Sequence, residues 1–175
     1  MAARQYDAPP PMALDEGKTY IARVTMENGD QFLIELDAEA APLAVNSFVF
    51  LANEGWYDGV TFHRVLPGFM AQTGDPTGTG MGGPGYEFVN EVDAGLSHDS
   101  EGVVAMANSG PDTNGSQFYV TLAPATHLDG GYTIFGRIAE GMDVVKGITP
   151  RDPAVDPQAP PGDLIKSITI ETVDS

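Results

Sequence analysis

"YIARVTMENGDQFLIEL", Tyr20 to Leu36, is two runs of strand-forming residues joined at Asn28-Gly29. Asn-Gly between two such runs predicts a tight β-hairpin, with both central residues at positive φ. Strand-like runs recur outward from it: "VTFHRVL" (60–66), "FMAQT" (69–73), "GVVAMA" (102–107), "QFYVTL" (117–122), "YTIFGRI" (132–138) and a closing "LIKSITIET" (164–172). Twenty-one glycines and fourteen prolines, spread along the chain, suit short strands joined by turns rather than a helical bundle. Two helices interrupt the pattern. The first follows Pro42, with apolar residues at Leu43, Val45, Phe48, Val49, Leu51 and Ala52, and Gly55 just beyond. The second, shorter helix falls within "AEGMDVVKGI" (139–148). The proline-rich run "TPRDPAVDPQAPPGD" (149–163) forbids regular pairing. No βαβ alternation is present, so the expected fold is mainly β: a closed antiparallel β-barrel with helices covering its ends.

The 175 residues predict one domain, 19–175, behind a flexible leader, 1–18, that contains Pro9-Pro10-Pro11. A net charge of −17 argues against nucleic acid or an anionic membrane as partner. No apolar run approaches the ~20 residues needed to cross a bilayer. The N-terminus lacks the apolar core of a signal peptide. The expectation is a soluble chain, cytoplasmic as given, or secreted if a signal segment was removed earlier. Nothing in the sequence signals an oligomer, so a monomer is expected.

Without cysteine, disulfides, thiolate catalysis and zinc-thiolate sites are excluded. His63, His98 and His127 lack ligand spacing, and no calcium-loop pattern occurs, so no metal or cofactor is expected. "GTGMGG" (78–83) matches a dinucleotide-binding glycine pattern but lacks the preceding strand and following helix, so it reads as a surface loop. Asn114-Gly115-Ser116 is formally a glycosylation sequon, and reads more simply as a turn before a strand. No Gly-x-Ser-x-Gly elbow is present. With the usual bond-cleaving machinery missing, a reaction that breaks no covalent bond becomes attractive.

One of only five arginines, Arg64, sits among Phe62, Val65, Leu66, Phe69 and Met70. If "TFHRVL" is a strand, Phe62, Arg64 and Leu66 share one face, with His63 and Val65 on the other. By the same parity Met70 shares a face with Gln72, and Gln117 with Tyr119. Three such strands can build an apolar hollow rimmed by an arginine and two glutamines. The plainer alternative is an arginine that snorkels to water or pairs with one of many carboxylates.

The blocks "APLAVNSFVFLANEGWYDG" (41–59), "FHRVLPGFMAQTGDPTGTG" (62–80), "AMANSGPDTNGSQFYVTL" (105–122) and "HLDGGYTIFGRIAEGMDVV" (127–145) resemble the cyclophilins, the peptidyl-prolyl cis-trans isomerases. The similarity covers about residues 20 to 173, and the short loop "TGDPTGTGMGGPGYEF" resembles single-domain bacterial members and their simplest eukaryotic relatives. The resemblance implies an eight-stranded antiparallel β-barrel capped by two α-helices. It implies rotation about X-Pro bonds in proline-containing peptides and client proteins, as a folding helper. It places Arg64 in the catalytic role. Phe69, Met70, Tyr119 and Leu128 match the pocket for the proline ring. Gln72, Asn108 and Gln117 match groups that hold the substrate backbone, with Ala107 in the neighbouring groove and His63 near the site. Three positions depart from the best-known members. Tyr119 stands where phenylalanine is usual, and its hydroxyl needs a partner. His127 replaces a tryptophan that helps to hold cyclosporin, so cyclosporin binding is expected to be weak. Tyr132 replaces a histidine at the pocket edge. The rival readings are a proline-peptide binding module with little turnover, and a holdase working through its acidic surface.

Overall fold

A computed structural model describes residues 4–93 and 95–174. Among them are eight strands: β1 (Lys18–Met26), β2 (Gln31–Leu36), β3 (Arg64–Leu66), β4 (Met70–Thr73), β5 (Val103–Met106), β6 (Phe118–Thr121), β7 (Ile134–Glu140) and β8 (Ile165–Asp174). Two α-helices accompany them, α1 (Pro42–Asn53) and α2 (Met142–Lys146), with one 3-10 turn at Thr126–Leu128. The strands form a single antiparallel sheet in the order β3-β4-β6-β5-β7-β2-β1-β8.

That order leaves β3 and β8 as edges, and no ladder between them closes the sheet. The expectation of a closed barrel therefore holds only in strand number, antiparallel pairing and the two helices. The edges approach where Thr61 bridges Leu164, just outside both strands, and where Phe62 N–H donates to Asp163 O at 2.9 Å. The seam is stitched by irregular chain because the prolines of 149–163 cannot supply a continuous ladder.

The opening hairpin forms with a different turn from the one expected. Thr25 pairs with Gln31, Met26 N–H donates to Asp30 O, and Gly29 N–H donates to Met26 O. The connection thus has three residues, and only Gly29 takes positive φ, at 95°. This is a turn closed by a left-handed glycine, which needs no positive φ at Asn28. Instead, the Asn28 side chain accepts from Asp30 N–H at 2.9 Å.

Helix α1 begins with Pro42, as proline's fixed φ favours. Its N-cap, Ala41, offers no side-chain acceptor. Glu91 supplies one from afar, accepting from Leu43 N–H and Ala44 N–H at 2.9 Å each. A carboxylate there satisfies two otherwise unpaired donors and suits the positive end of the helix. The far end closes with Trp56 N–H to Leu51 O and Gly55 N–H to Ala52 O, the paired bonds of a Schellman stop. The helix buries Phe48 and Leu51 into the core beside Phe118 and Phe135, worth roughly 1.5–3 kcal/mol per large side chain removed from water. Helix α2 is shorter than the run that suggested it, because Ala139 and Glu140 extend β7.

The N-terminal segment makes defined contacts from Arg4 onward. Tyr6 packs edge-on against Phe50 with ring centroids 5.1 Å apart. Asn46 donates to Pro10 O and Pro11 O and accepts from Ala13 N–H. Asn114 of the formal sequon is fully buried and donates to Phe88 O and Asn90 Oδ1, so it serves the turn before β6.

Candidate functional site

Strand register assigns the two faces of the sheet. Val65, Ala71, Val120 and Val104 lie in one cross-strand row and belong to the main core. The adjacent row runs Arg64, Gln72, Tyr119, Ala105 and Ile134, on the opposite face. There a second apolar cluster gathers Met70, Val103, Ala105, Tyr119 and Ile134, with Leu66, Phe69, Ala107, Leu128 and Tyr132 packed against it. Phe69, Met70, Tyr119, Leu128, Tyr132 and Ala107, singled out along 64 residues of sequence (69–132), thus meet in one place. His127 caps this cluster from the 3-10 turn, exposed, its ring 5.5 Å from that of Phe69. Tyr132 meets Tyr119 edge to face at 5.8 Å.

The alternation does not reach back to Phe62. That ring lies in the main core with Val65, not on the face of Arg64. Regular pairing begins only at Arg64. Just before it, Phe62 N–H is held by Asp163 O and His63 O accepts from the Arg151 guanidinium at 2.6 Å. These contacts with a distant segment take the place of ladder pairing there, and both Phe62 and His63 are buried. His63 is therefore not in the apolar cluster. Its ring lies close to Gly80, beneath the loop after β4, and its Nδ1 finds no protein partner. Burial lowers its pKa; Asp75 opposes this, while Arg151 and Arg64 add to it. The imidazole is thus favoured in its neutral form.

Arg64 is half-buried. Among the described residues no carboxylate pairs with it and no hydrogen bond ties down its guanidinium. The alternative of an ion-paired arginine has no partner here. Gln72 donates to Gln117 Oε1 at 3.0 Å, and Gln117 Nε2 donates to Gly80 O and Gly82 O, each at 3.0 Å. Asn108 donates to Gly131 O at 3.0 Å and accepts from Gly110 N–H. Gln72 and Gln117 are thus linked to each other and to the loop, while Asn108 is tied separately to its own turn and to Gly131.

Two supporting devices escaped the sequence. The glycine-rich loop is wrapped around the fully buried Asp75, whose carboxylate accepts from Thr77 N–H, Gly80 N–H and Gly82 N–H at 2.7–3.0 Å and from the Thr77 hydroxyl. Burial raises the Asp75 pKa, and the donors from Gly82, Thr77 and Gly80 outweigh it, so the net shift is downward. The loop that Gln117 grips is thereby fixed. The pattern Asp-x-Thr followed by glycines was the available signal, since such side chains bond nearby backbone N–H groups. The second device answers the need of the Tyr119 hydroxyl. It lies 2.8 Å from Nε2 of the fully buried His98, whose Nδ1 is 2.7 Å from Asp129 Oδ1. His98 N–H, the Ser97 hydroxyl and the His98 ring pull the Asp129 pKa down to about 2. An ionised carboxylate accepts only, so Nδ1 carries a proton, and in the neutral ring Nε2 then accepts from Tyr119. Burial pushes the Tyr119 phenol well above its usual range. No spacing rule links positions 98, 119 and 129.

Comparison with known proteins identifies the relatives of the chain. The family model described as cyclophilin type peptidyl-prolyl cis-trans isomerase/CLD matches residues 21–172. A protein named peptidyl-prolyl cis-trans isomerase-like 1 from Aspergillus fumigatus is 54% identical over 118 residues, 66% of this chain and 73% of the relative. One of the same name from Rhizopus delemar is 54% identical over 116 residues, 65% and 70% of the two chains. Among solved structures, a Cryptosporidium parvum cyclophilin type peptidyl-prolyl cis-trans isomerase superposes with a TM-score of 0.78 at 33% identity, covering 87% of this chain and 98% of that one. Another crystal structure of that protein was obtained in the presence of the dipeptide Ala-Pro. No helix among the described residues is long and apolar enough to cross a membrane. Since the family match runs from β1 to β8 and takes in every site residue named above, the chain belongs to the cyclophilin-type peptidyl-prolyl cis-trans isomerases.

Proposed function

We propose that Arg64 stabilises the twisted amide of an X-Pro bond while the outer apolar cluster holds the proline ring. The observation that carries this reading is the cross-strand row in which unpaired Arg64 faces Gln72 and Gln72 faces Tyr119, beside Met70 and Phe69. Amide resonance sets a barrier of roughly 18–20 kcal/mol to rotation. Twisting removes that resonance and localises the lone pair on nitrogen, which becomes an acceptor. A guanidinium aimed at that nitrogen binds the twisted form better than either planar form, which is the condition for catalysis. Arginine suits the task because its charge is permanent and its donors are held in a rigid fork.

Phe69, Met70, Tyr119 and Leu128 form the floor and sides for the pyrrolidine, with Tyr132 and His127 at its edge. Gln72, Gln117 and Asn108 hold the peptide backbone, and Ala107 lines the adjoining groove. His63 supports from beneath without touching the substrate, an assignment that its burial supports. The substrates are proline-containing segments of unfolded or folded proteins, and the role is assistance to folding. An exposed imidazole at 127 against Phe69 offers cyclosporin less surface than an indole, in line with weak binding. Raising an uncatalysed rate of ~0.01 per second to ~10 per second requires about 4 kcal/mol. One charge-assisted hydrogen bond in a partly dry site, together with positioning, supplies it.

The test is a prolyl isomerisation assay on a short X-Pro peptide with wild type beside Arg64→Ala. The expected outcome is fast turnover by wild type and a loss of about a hundredfold or more in kcat/KM for the variant, near the magnitude for removing one transition-state donor. Equal rates would refute the role of Arg64. Peptide binding by wild type without acceleration would favour a binding module.

A further inference from the structure

A second cavity of about 700 Å³ adjoins the apolar hollow and shares Gln72, Ala107, Asn108 and Gln117 with it. A peptide whose proline fills the hollow therefore brings a neighbouring side chain to this cavity, since successive Cα atoms are only ~3.8 Å apart. Most of its wall comes from the loops that follow β4 and β5. One part does not: Gln5, from the N-terminal segment, completes the rim.

Several attachments fix Gln5 there. Its Nε2 donates to Gly83 O at 3.0 Å. The next residue donates from Tyr6 N–H to Pro84 O at 2.8 Å, and the Tyr6 ring packs against Phe50, Trp56 and Tyr86. The receiving loop is shaped for this contact. Gly85 has φ +95°, and a Cβ on it would lie 2.7 Å from Tyr6 O, closer than atoms can pack. The segment is thus a built part of the groove. The charge of the cavity is also one-sided. Among the described residues that line it, Glu87 alone carries a full charge and none is a cation, and the whole chain carries −17.

We propose that residues 4–6 form a wall of the substrate groove and that Gln5 is a specificity-determining residue, the cavity favouring Lys or Arg over Asp or Glu beside the X-Pro bond. The inference rests on the isomerase reading above and names the substrate class it selects. A basic side chain in the cavity would meet Glu87 and the Gln5 amide, with no cation among the described lining residues. An acidic one would meet a like charge at the rim.

The experiment measures kcat/KM on peptides carrying Lys, Ala or Glu at each position flanking the X-Pro bond. Wild type is expected to prefer Lys over Glu by at least fivefold at one of these positions. Gln5→Arg, which places a cation on the rim, should lower that ratio at least fivefold, and Glu87→Gln should lower it by a similar factor. Asn28→Arg, at the tip of the β1–β2 hairpin, adds the same charge elsewhere and should move the ratio by less than twofold. A wild type indifferent to charge, or a Gln5→Arg ratio that only tracks Asn28→Arg, overturns the inference while leaving the isomerase reading intact. Failure of wild type to isomerise even the alanine-flanked peptide overturns both.

Discussion

The two faces of one sheet carry opposite kinds of chemistry. Along β3, β4 and β6 the residues Val65, Ala71, Val120 and Phe118 turn inward, and every one is buried and apolar. The alternate residues turn outward and mix polar Arg64, Gln72 and Tyr119 with apolar Leu66 and Met70. The inward face tolerates no polar group without a partner, because the cost of burying one is about 1–3 kcal/mol. The outward face handles its polar groups individually. Gln117 is anchored to Gly80 O and Gly82 O, the Tyr119 hydroxyl is held by His98, and the Arg64 guanidinium has no partner among the described residues. Groups that shape the site are thus tied down, and the group proposed to act is left with its donors unspent. A period of two along a strand lets the same few residues serve both purposes.

If the inward face is for stability, Phe118→Ala should be the most damaging change. Phe118 is fully buried and meets Phe48, Tyr57 and Phe135. A loss of roughly 3–5 kcal/mol is expected, read as a large drop in denaturation midpoint with unchanged slope. A loss below 1 kcal/mol would dissolve the contrast between the faces.

Tyr119→Phe sharpens the comparison from the other side. The ring that lines the hollow remains, but His98 Nε2 loses its partner in a fully buried position. Stability should fall by about 1–3 kcal/mol while kcat/KM stays within a few-fold of wild type. Thermal melts and the isomerisation assay, run on the same preparation, would separate the two effects. A large catalytic loss with no change in stability would mean that the hydroxyl serves the substrate and not the frame.

The buried ionisable groups beneath the site set a smaller, pH-dependent effect. The folded-state pKa of His63 lies below the ordinary 6.5, so the unfolded chain binds the extra proton first as pH falls. Stability contributed by the neutral ring is present above about pH 6.5 and is lost progressively below it. Asp75 has a folded pKa below its ordinary 3.8, so its contribution is present above that value and is lost as pH falls through the folded pKa. Melting temperature should therefore decline in two stages, and His63→Phe should flatten the upper one, which begins as pH falls through about 6.5. An unchanged upper stage in that variant would remove His63 as its source.

Much of this arrangement was legible in the sequence, where local rules act alone. Pro42 and Gly55 marked both ends of α1, and the period of two put Arg64, Gln72 and Tyr119 where a shared face was possible. What failed was the extension of that parity to Phe62, because the ladder starts only at Arg64 and the chain before it is held instead by Arg151 and Asp163, about a hundred residues away. The hairpin was legible as a hairpin but not in its turn geometry, since Asn-Gly is compatible with more than one connection length. Least legible were the long-range partners: Glu91 capping α1, His98 and Asp129 behind Tyr119, and Gln5 on the rim of the second cavity. No periodicity encodes a hydrogen bond between side chains that only the finished fold brings together. The Asp75 loop falls between these cases, having a local signal in its Asp-x-Thr start that composition alone reads as a plain glycine-rich loop.

The central claim is that Arg64 acts on the twisted amide and adds little to holding the planar peptide. Nuclear magnetic resonance exchange measurements on an X-Pro peptide, with wild type and with Arg64→Ala, report the cis–trans exchange rate and the peptide Kd together. The account predicts exchange slowed at least a hundredfold at saturation, with Kd changed by no more than a few-fold and the fold intact. Exchange as fast as wild type, or a rate loss explained entirely by lost binding, would contradict it.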